Sequence, residues 1–221
     1  MVKEIIILAT SVKYRNYCIA GIDKATGEWV RIISDDDSIE NAVRMEDMCY
    51  ADGSVPKVFD VVRIKCKGHR PNFYQPENFL LDDTCYWQKV DRASISDVIK
   101  VHPPEDKPYI FYNHTKRIHK DDLEQICKVA SDNHSLILIS PKNVIVHVNE
   151  FPERKTVTIS FDYNDCTYKW IPTTDTDFKK RYLELEPFHY RVKERVFLVL
   201  SLGVCDPKDG CHYKLVATVL E

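Results

Sequence analysis

Between Phe59 and Lys67 the chain alternates strictly, with Val62, Ile64 and Cys66 against Arg63, Lys65 and Lys67. Successive side chains of a strand point to opposite faces, so this segment predicts a half-buried strand with a basic outer face. The same reading gives strands over Glu4–Thr10, Tyr17–Asp23 and Glu28–Ile33, all rich in Ile, Val and aromatic residues. Lys24-Ala25-Thr26-Gly27 joins the last two as a hairpin loop, with glycine where the backbone needs a positive φ. The chain therefore begins as a meander.

Further along, Thr156, Thr158 and Ser160 alternate with Val157, Ile159 and Phe161. A hairpin follows, Lys155–Tyr163 and Cys166–Ile171 about a tight turn at Asn164-Asp165. Shorter strands are expected at 86–90, 135–140, 144–148, 196–202 and 213–220, about ten in all. The helical period is clearest over Lys120–Ser131, where Leu123, Ile126, Cys127 and Ala130 share one face. A second helix is expected from Ser94 to His102, capped by Ser94 or Ser96 and ended by Pro103-Pro104. The polar, acidic connection from Asp35 to Pro56 has room for a short helix around Ile39–Cys49. Strands throughout with one helix near the middle predict a mainly β, β-rich α+β protein, built as barrels or a sandwich. If the 221 residues form two units, the division falls between Pro103 and Lys120, giving 1–105 and 106–221 with the helix near 120–131 in the second.

Charge changes this picture only locally. The net charge is −3, so the summed field does not favour a polyanion, but Lys179 to Arg195 carries six basic residues against three acids. The longest apolar run, Ile5-Ile6-Ile7-Leu8-Ala9, is too short to span a bilayer, and no secretory pattern precedes it, which implies a cytoplasmic protein with no membrane contact. Eight cysteines lie singly, without a C-x-x-C pair, and read as buried thiols. Cys205, Cys211 and His212 lack the second ligand pair of a zinc site. With no phosphate-cradling glycine loop, no G-x-S-x-G and no H-E-x-x-H, the chain reads as a binding protein without metal, cofactor or catalytic centre.

Candidate ligand contacts cluster in the first half. Ser11, Lys13 and Arg15 put a hydroxyl and two cations on one loop, a group suited to phosphate. Trp29 and Arg31 share a strand face and offer a stacking plane beside a guanidinium, or a core cap with a cation over it. Gln75 and Asn78 supply amides that read base edges or tie their own loop, and Trp87 adds a further aromatic plane.

Ser11-x-Lys13, Cys18-Ile19-Ala20-Gly21-Ile22-Asp23, Thr26-Gly27-Glu28-Trp29-Val30-Arg31-Ile32-Ile33-Ser34, Gln75-Pro76-Glu77-Asn78, Trp87-Gln88-Lys89-Val90, Ser201-Leu202-Gly203 and Tyr213-Lys214-Leu215-Val216-Ala217 together resemble the bacterial dual OB-containing domain family, in order and over nearly the whole chain. The resemblance implies two OB-like barrels with one or two helices, a nucleic acid or nucleotide as ligand, and a setting beside bacterial defence genes. Two features depart from the family pattern: Phe79 stands where tryptophan is expected, and Thr173-Thr174-Asp175 follows Pro172. Three functions remain open: a module for single-stranded nucleic acid or RNA, a small nucleotide sensor, and a subunit that recruits an effector protein.

Overall fold

The computed structural model describes residues 1–13 and 16–221, with Lys13 described by its backbone. They form two compact units, Met1–Pro103 and Pro104–Glu221. Among the described residues no helix is long and apolar enough to cross a membrane.

The first unit opens with the expected meander: β1 (Val2–Lys13), β2 (Asn16–Asp23) and β3 (Trp29–Ile33). Gly27 takes φ +73 in the β2–β3 loop. β4 (Asp60–His69) follows the predicted alternation, with Val62, Ile64 and Cys66 inside and the lysines between them outside. β1 is shared by two neighbours. Its first half pairs with β4, Val2 opposite Lys65, and the stretch from Ile5 onward pairs with β2. β5 (Asn78–Leu81) then runs parallel to β3 and antiparallel to β4. This closes the five-stranded order β1-β2-β3-β5-β4 on itself, the Greek-key barrel of the OB-fold. Closure is tight at Gly21, where a Cβ would lie 2.2 Å from the Ile6 carbonyl oxygen. β6 (Gln88–Arg92) adds to the outer edge of β4, and α1 (Ile95–Val101) carries a capping box between Ser94 and Asp97.

The connection from β3 to β4 differs from the expected helix at Ile39–Cys49. It holds one 3₁₀ turn, Asp37–Ile39, which ends because Glu40 and Asn41 adopt positive φ. Val43 and Met48 nevertheless fill the core from it, with Ile5, Ile19, Ile32 and Trp87.

In the second unit β7 (Arg117–His119) leads into α2 (Lys120–Val129). Then come β8 (Leu136–Ile139), β9 (Lys142–Phe151), β10 (Arg154–Tyr163) and β11 (Cys166–Pro172). The chain ends with α3 (Thr176–Leu183), β12 (Phe188–Arg191), β13 (Phe197–Asp206) and β14 (Cys211–Leu220). The predicted hairpin at Asn164-Asp165 is present, with Asn164 at φ +51. Two four-stranded sheets result, β11-β10-β9-β12 and β7-β14-β13-β8. They meet where β8 bends into β9 over Ser140-Pro141 and at a parallel bridge from Thr173 to Val216. Treating β8 and β9 as one bent strand gives the succession of the first barrel again. Its first half pairs with β13, its second with β10, and the β11 end runs parallel to β14.

The described residues form three α-helices where one or two were expected. α3 is the addition. Asp175, three residues after Pro172, accepts a hydrogen bond from the Phe178 N–H at 2.9 Å and caps the helix, and also accepts one from the Val219 N–H at 3.0 Å.

Candidate functional site

Most of the residues singled out in the first unit are built into its structure. The Lys13 side chain and Arg15 lie outside the described residues, and Ser11 is buried in β1 opposite Cys18. Trp29 is half-buried at the start of β3. Its ring meets His102 edge-on at 5.2 Å, and the His102 Nδ1 lies 2.7 Å from the Gly27 carbonyl oxygen. Arg31 donates to Glu77 Oε1 at 3.2 Å, and the two side chains keep only 11% and 5% of their surface.

Gln75 and Asn78, whose amides suit either base edges or their own loop, are buried and tie their own loop. Gln75 Oε1 accepts from the amides of Asn72 at 2.9 Å and Asn78 at 3.2 Å, and the Gln75 N–H donates to Asn72 Oδ1. Trp87, expected to face a ligand, is a core side chain at 2% exposure, because the Tyr50–Trp87 bridge turns it under the β3–β4 connection.

The basic outer face of β4 is likewise neutralised: Arg63, Lys65, Lys67 and Arg70 pair with Glu4, Asp82, Asp83 and Asp35. Every described lysine and arginine side chain of the first unit except Lys57 is ion-paired. Asp60 anchors two of them. Burial works against its carboxylate, but hydrogen bonds from Lys89, the Lys57 N–H and Tyr50 hold it ionised below the usual carboxylate range.

The second unit presents a different surface. Val144, Val146 and Val148 of β9 point into the core, so Ile145 and His147 take the outer face. Register carries that face across the sheet: His147 lies opposite Thr158 of β10 and His189 of β12, and Ile145 opposite Ser160 and Arg191. A bulge on β11 completes it. Trp170 takes φ +54 and is 55% exposed while Tyr168 and Ile171 stay buried. The Trp170 N–H donates to Ser160 Oγ at 3.0 Å, Ser160 Oγ lies 2.7 Å from His147 Nε2, and His147 Nδ1 lies 2.9 Å from His189 Nδ1.

One end of this row has a fixed direction. A backbone N–H can only donate, so Ser160 Oγ accepts from Trp170 and keeps both its proton and a second lone pair for His147 Nε2. A single proton is shared between His147 Nδ1 and His189 Nδ1. Burial, aided by His189, holds the His147 imidazole below its ordinary pKa and keeps it neutral in this role. The chain fixes the backbone under Trp170, whose ring lies 6.4 Å from that of His147. Trp170 and Arg191 stand at the two ends of one cross-strand row, about 14 Å apart over three inter-strand steps.

None of these four residues, Trp170, Ser160, His147 and His189, stood out in the sequence. Cys205 and His212 face each other on β13 and β14, but the His212 Nδ1 meets the Gly203 carbonyl oxygen at 2.8 Å. All eight cysteines are free, and no group of three or more His, Cys, Asp or Glu among the described residues could hold a metal ion.

No curated protein and no solved structure shows a significant match to the chain. The family model of the dual OB-containing domain matches residues 3–219. With the closed five-stranded barrel and the second unit of the same strand succession, that match over nearly the full length means that the chain belongs to the dual OB-containing domain family.

Proposed function

We propose that the chain is a non-catalytic module that binds single-stranded nucleic acid across the outer face of β11-β10-β9-β12. The observation that carries this reading is Trp170, a large aromatic side chain held out of the core by a left-handed backbone conformation that favours glycine. It sits on β11, the counterpart of the third strand of the first barrel once β8 and β9 are taken as one, and the second and third strands are the ligand face of OB-folds. A base stacks on such a ring whatever its identity.

Cations for the backbone are at hand. Lys142, Lys169 and Arg191 have no carboxylate partner among the described residues, unlike the paired cations of the first unit. Ser160, His147 and His189 act as positioning residues that hold the platform. With about three phosphate contacts, log K should fall with log salt at a slope near −2, since single strands release about 0.7 counterion per contact.

Fluorescence anisotropy with a labelled homopyrimidine oligonucleotide at low and moderate salt tests the reading. The expected result is binding with that shallow slope and a loss of about ten-fold or more in Trp170→Ala. An affinity unchanged by that substitution overturns the assignment of this face.

A further inference from the structure

We infer that the cleft at the Arg191 end of the row is a binding site for a phosphate monoester and, resting on the reading above, that it holds the terminal phosphate of the bound strand. The cleft has a volume of about 460 Å³ and lies between the β8–β9 bend and the segment 191–196. That volume is enough for a phosphate with its sugar. Asn143, Arg191, Lys193 and Arg195 line it over a floor of Val144 and Val196.

The cations are arranged for an anion from outside the chain. Arg191 donates to Asn143 Oδ1 at 2.8 Å, and Asn143 in turn donates to Asp162 Oδ2 at 2.7 Å. The other Asp162 oxygen accepts from the Thr167 hydroxyl at 2.7 Å. The nearby carboxylate is thus occupied by neutral donors, and Arg191 is oriented through a neutral amide, with the rest of its fork available for a planar or tetrahedral oxyanion. Arg195 lies 5.0 Å over the Phe197 ring. The Val192 N–H donates to the Val144 carbonyl at 3.0 Å and fastens the segment to β9.

Lys193 and Arg195 have no carboxylate partner among the described residues. Glu194 is the one acid in the lining, so the lining itself, with Asp162 set behind Asn143, carries three cations against one carboxylate, +2. A phosphate monoester carries about −1.5 to −2 at neutral pH and matches it, whereas a diester inside a strand carries −1. Position agrees with charge. β12 is the edge of its sheet, so a strand laid from Trp170 along the row runs off the last β-strand into the cleft.

The test compares oligonucleotides of one sequence ending in a 5′-phosphate, a 3′-phosphate or hydroxyls only, by anisotropy at pH 7.5, with a nucleoside monophosphate as a separate probe. One phosphate-ended oligonucleotide should bind about ten-fold tighter than the hydroxyl-ended one. The double variant R191Q/K193Q should remove that advantage, and Trp170→Ala should weaken all three while keeping the ratio. Equal affinity for all ends, with no thermal stabilisation of the protein by the monophosphate, overturns the inference even where strand binding stands. Stabilisation by the monophosphate that is lost in R191Q/K193Q, with no oligonucleotide binding at all, keeps the phosphate site and overturns the strand reading.

Discussion

His147 and His189 meet Nδ1 to Nδ1 at 2.9 Å across β9 and β12, so one proton lies between the two rings and a second would set two N–H groups against each other. The pair therefore resists full protonation. Burial and the neighbouring His189 already hold His147 below the ordinary histidine value of about 6.5. The unfolded chain then binds more protons than the folded one between that value and the folded pKa, and stability rises with pH through the window. Denaturant midpoints should fall as the pH drops from about 7 to 5.5, and His147→Gln should flatten the slope. His212, lowered by burial against an opposing hydrogen bond to Gly203, acts in the same direction, so part of the slope persists. A midpoint that rises on acidification over this range contradicts the assignment.

Arg31 and Glu77 join β3 to the loop before β5, and both side chains are largely removed from water. Removing one partner leaves the other buried and uncompensated, a change that costs about 3–5 kcal/mol in well-buried pairs. Arg31→Ala should therefore lower stability by about 3 kcal/mol, and the apolar double variant R31M/E77L should recover most of it. Chemical denaturation checks both. A loss below about 0.5 kcal/mol would mark Arg31 as a surface residue free to meet a ligand.

How much of this was legible depended on parity. The β2–β3 and β10–β11 hairpins follow from period-two alternation and turn residues, and α2 from its apolar stripe. β5, β7 and β12 have three or four residues each, too few to show a period, while β6, expected at 86–90, runs over Gln88–Arg92 and is exposed along its whole length. Trp170 was hidden by the alternation itself. It stands two residues from Tyr168, so strict alternation puts both inside, and only the bulge opposite Ile159–Phe161 turns Trp170 outward. The loop amides suit two roles, base edges or their own loop, and the loop takes them: Asn72 and Asn78 both donate to Gln75 Oε1, while Asn78 Oδ1 is buried without a hydrogen-bond partner among the described residues.

Lys214 is wholly buried on β14. Its amine donates to the Asn113 carbonyl at 2.6 Å and to Asn113 Oδ1 at 2.8 Å, and lies 5.0 Å from the Tyr168 ring centre. Burial pushes its pKa down to about 7, with Cys166 opposing weakly. The unfolded lysine titrates near 10.4, so above the folded value the unfolded state binds more protons and stability grows with pH. Unfolding midpoints should rise from pH 7 to about 7.8, before most of the unfolded cysteines, with an ordinary value of about 8.5, ionise. Lys214→Met should abolish the rise. A flat profile in the parent protein would mean that the amine stays charged in the fold.

Trp170 separates structural from functional cost more cleanly than any other position. Its φ of +54 costs a residue with a Cβ about 1–2 kcal/mol, and glycine nothing. At an ordinary strand site glycine is the worse choice, by about 0.5–1 kcal/mol against alanine. Here the order should invert, with Trp170→Gly more stable than Trp170→Ala by about 1 kcal/mol. Both variants lose the ring, so both should lose the same binding energy, about 1–3 kcal/mol for one stacked base. Equilibrium denaturation gives the first comparison and anisotropy titration the second. Alanine more stable than glycine would mean that the bulge relaxes once the indole is gone. If the inversion holds with oligonucleotide affinity intact in both, the strained tryptophan serves something other than a nucleic-acid base.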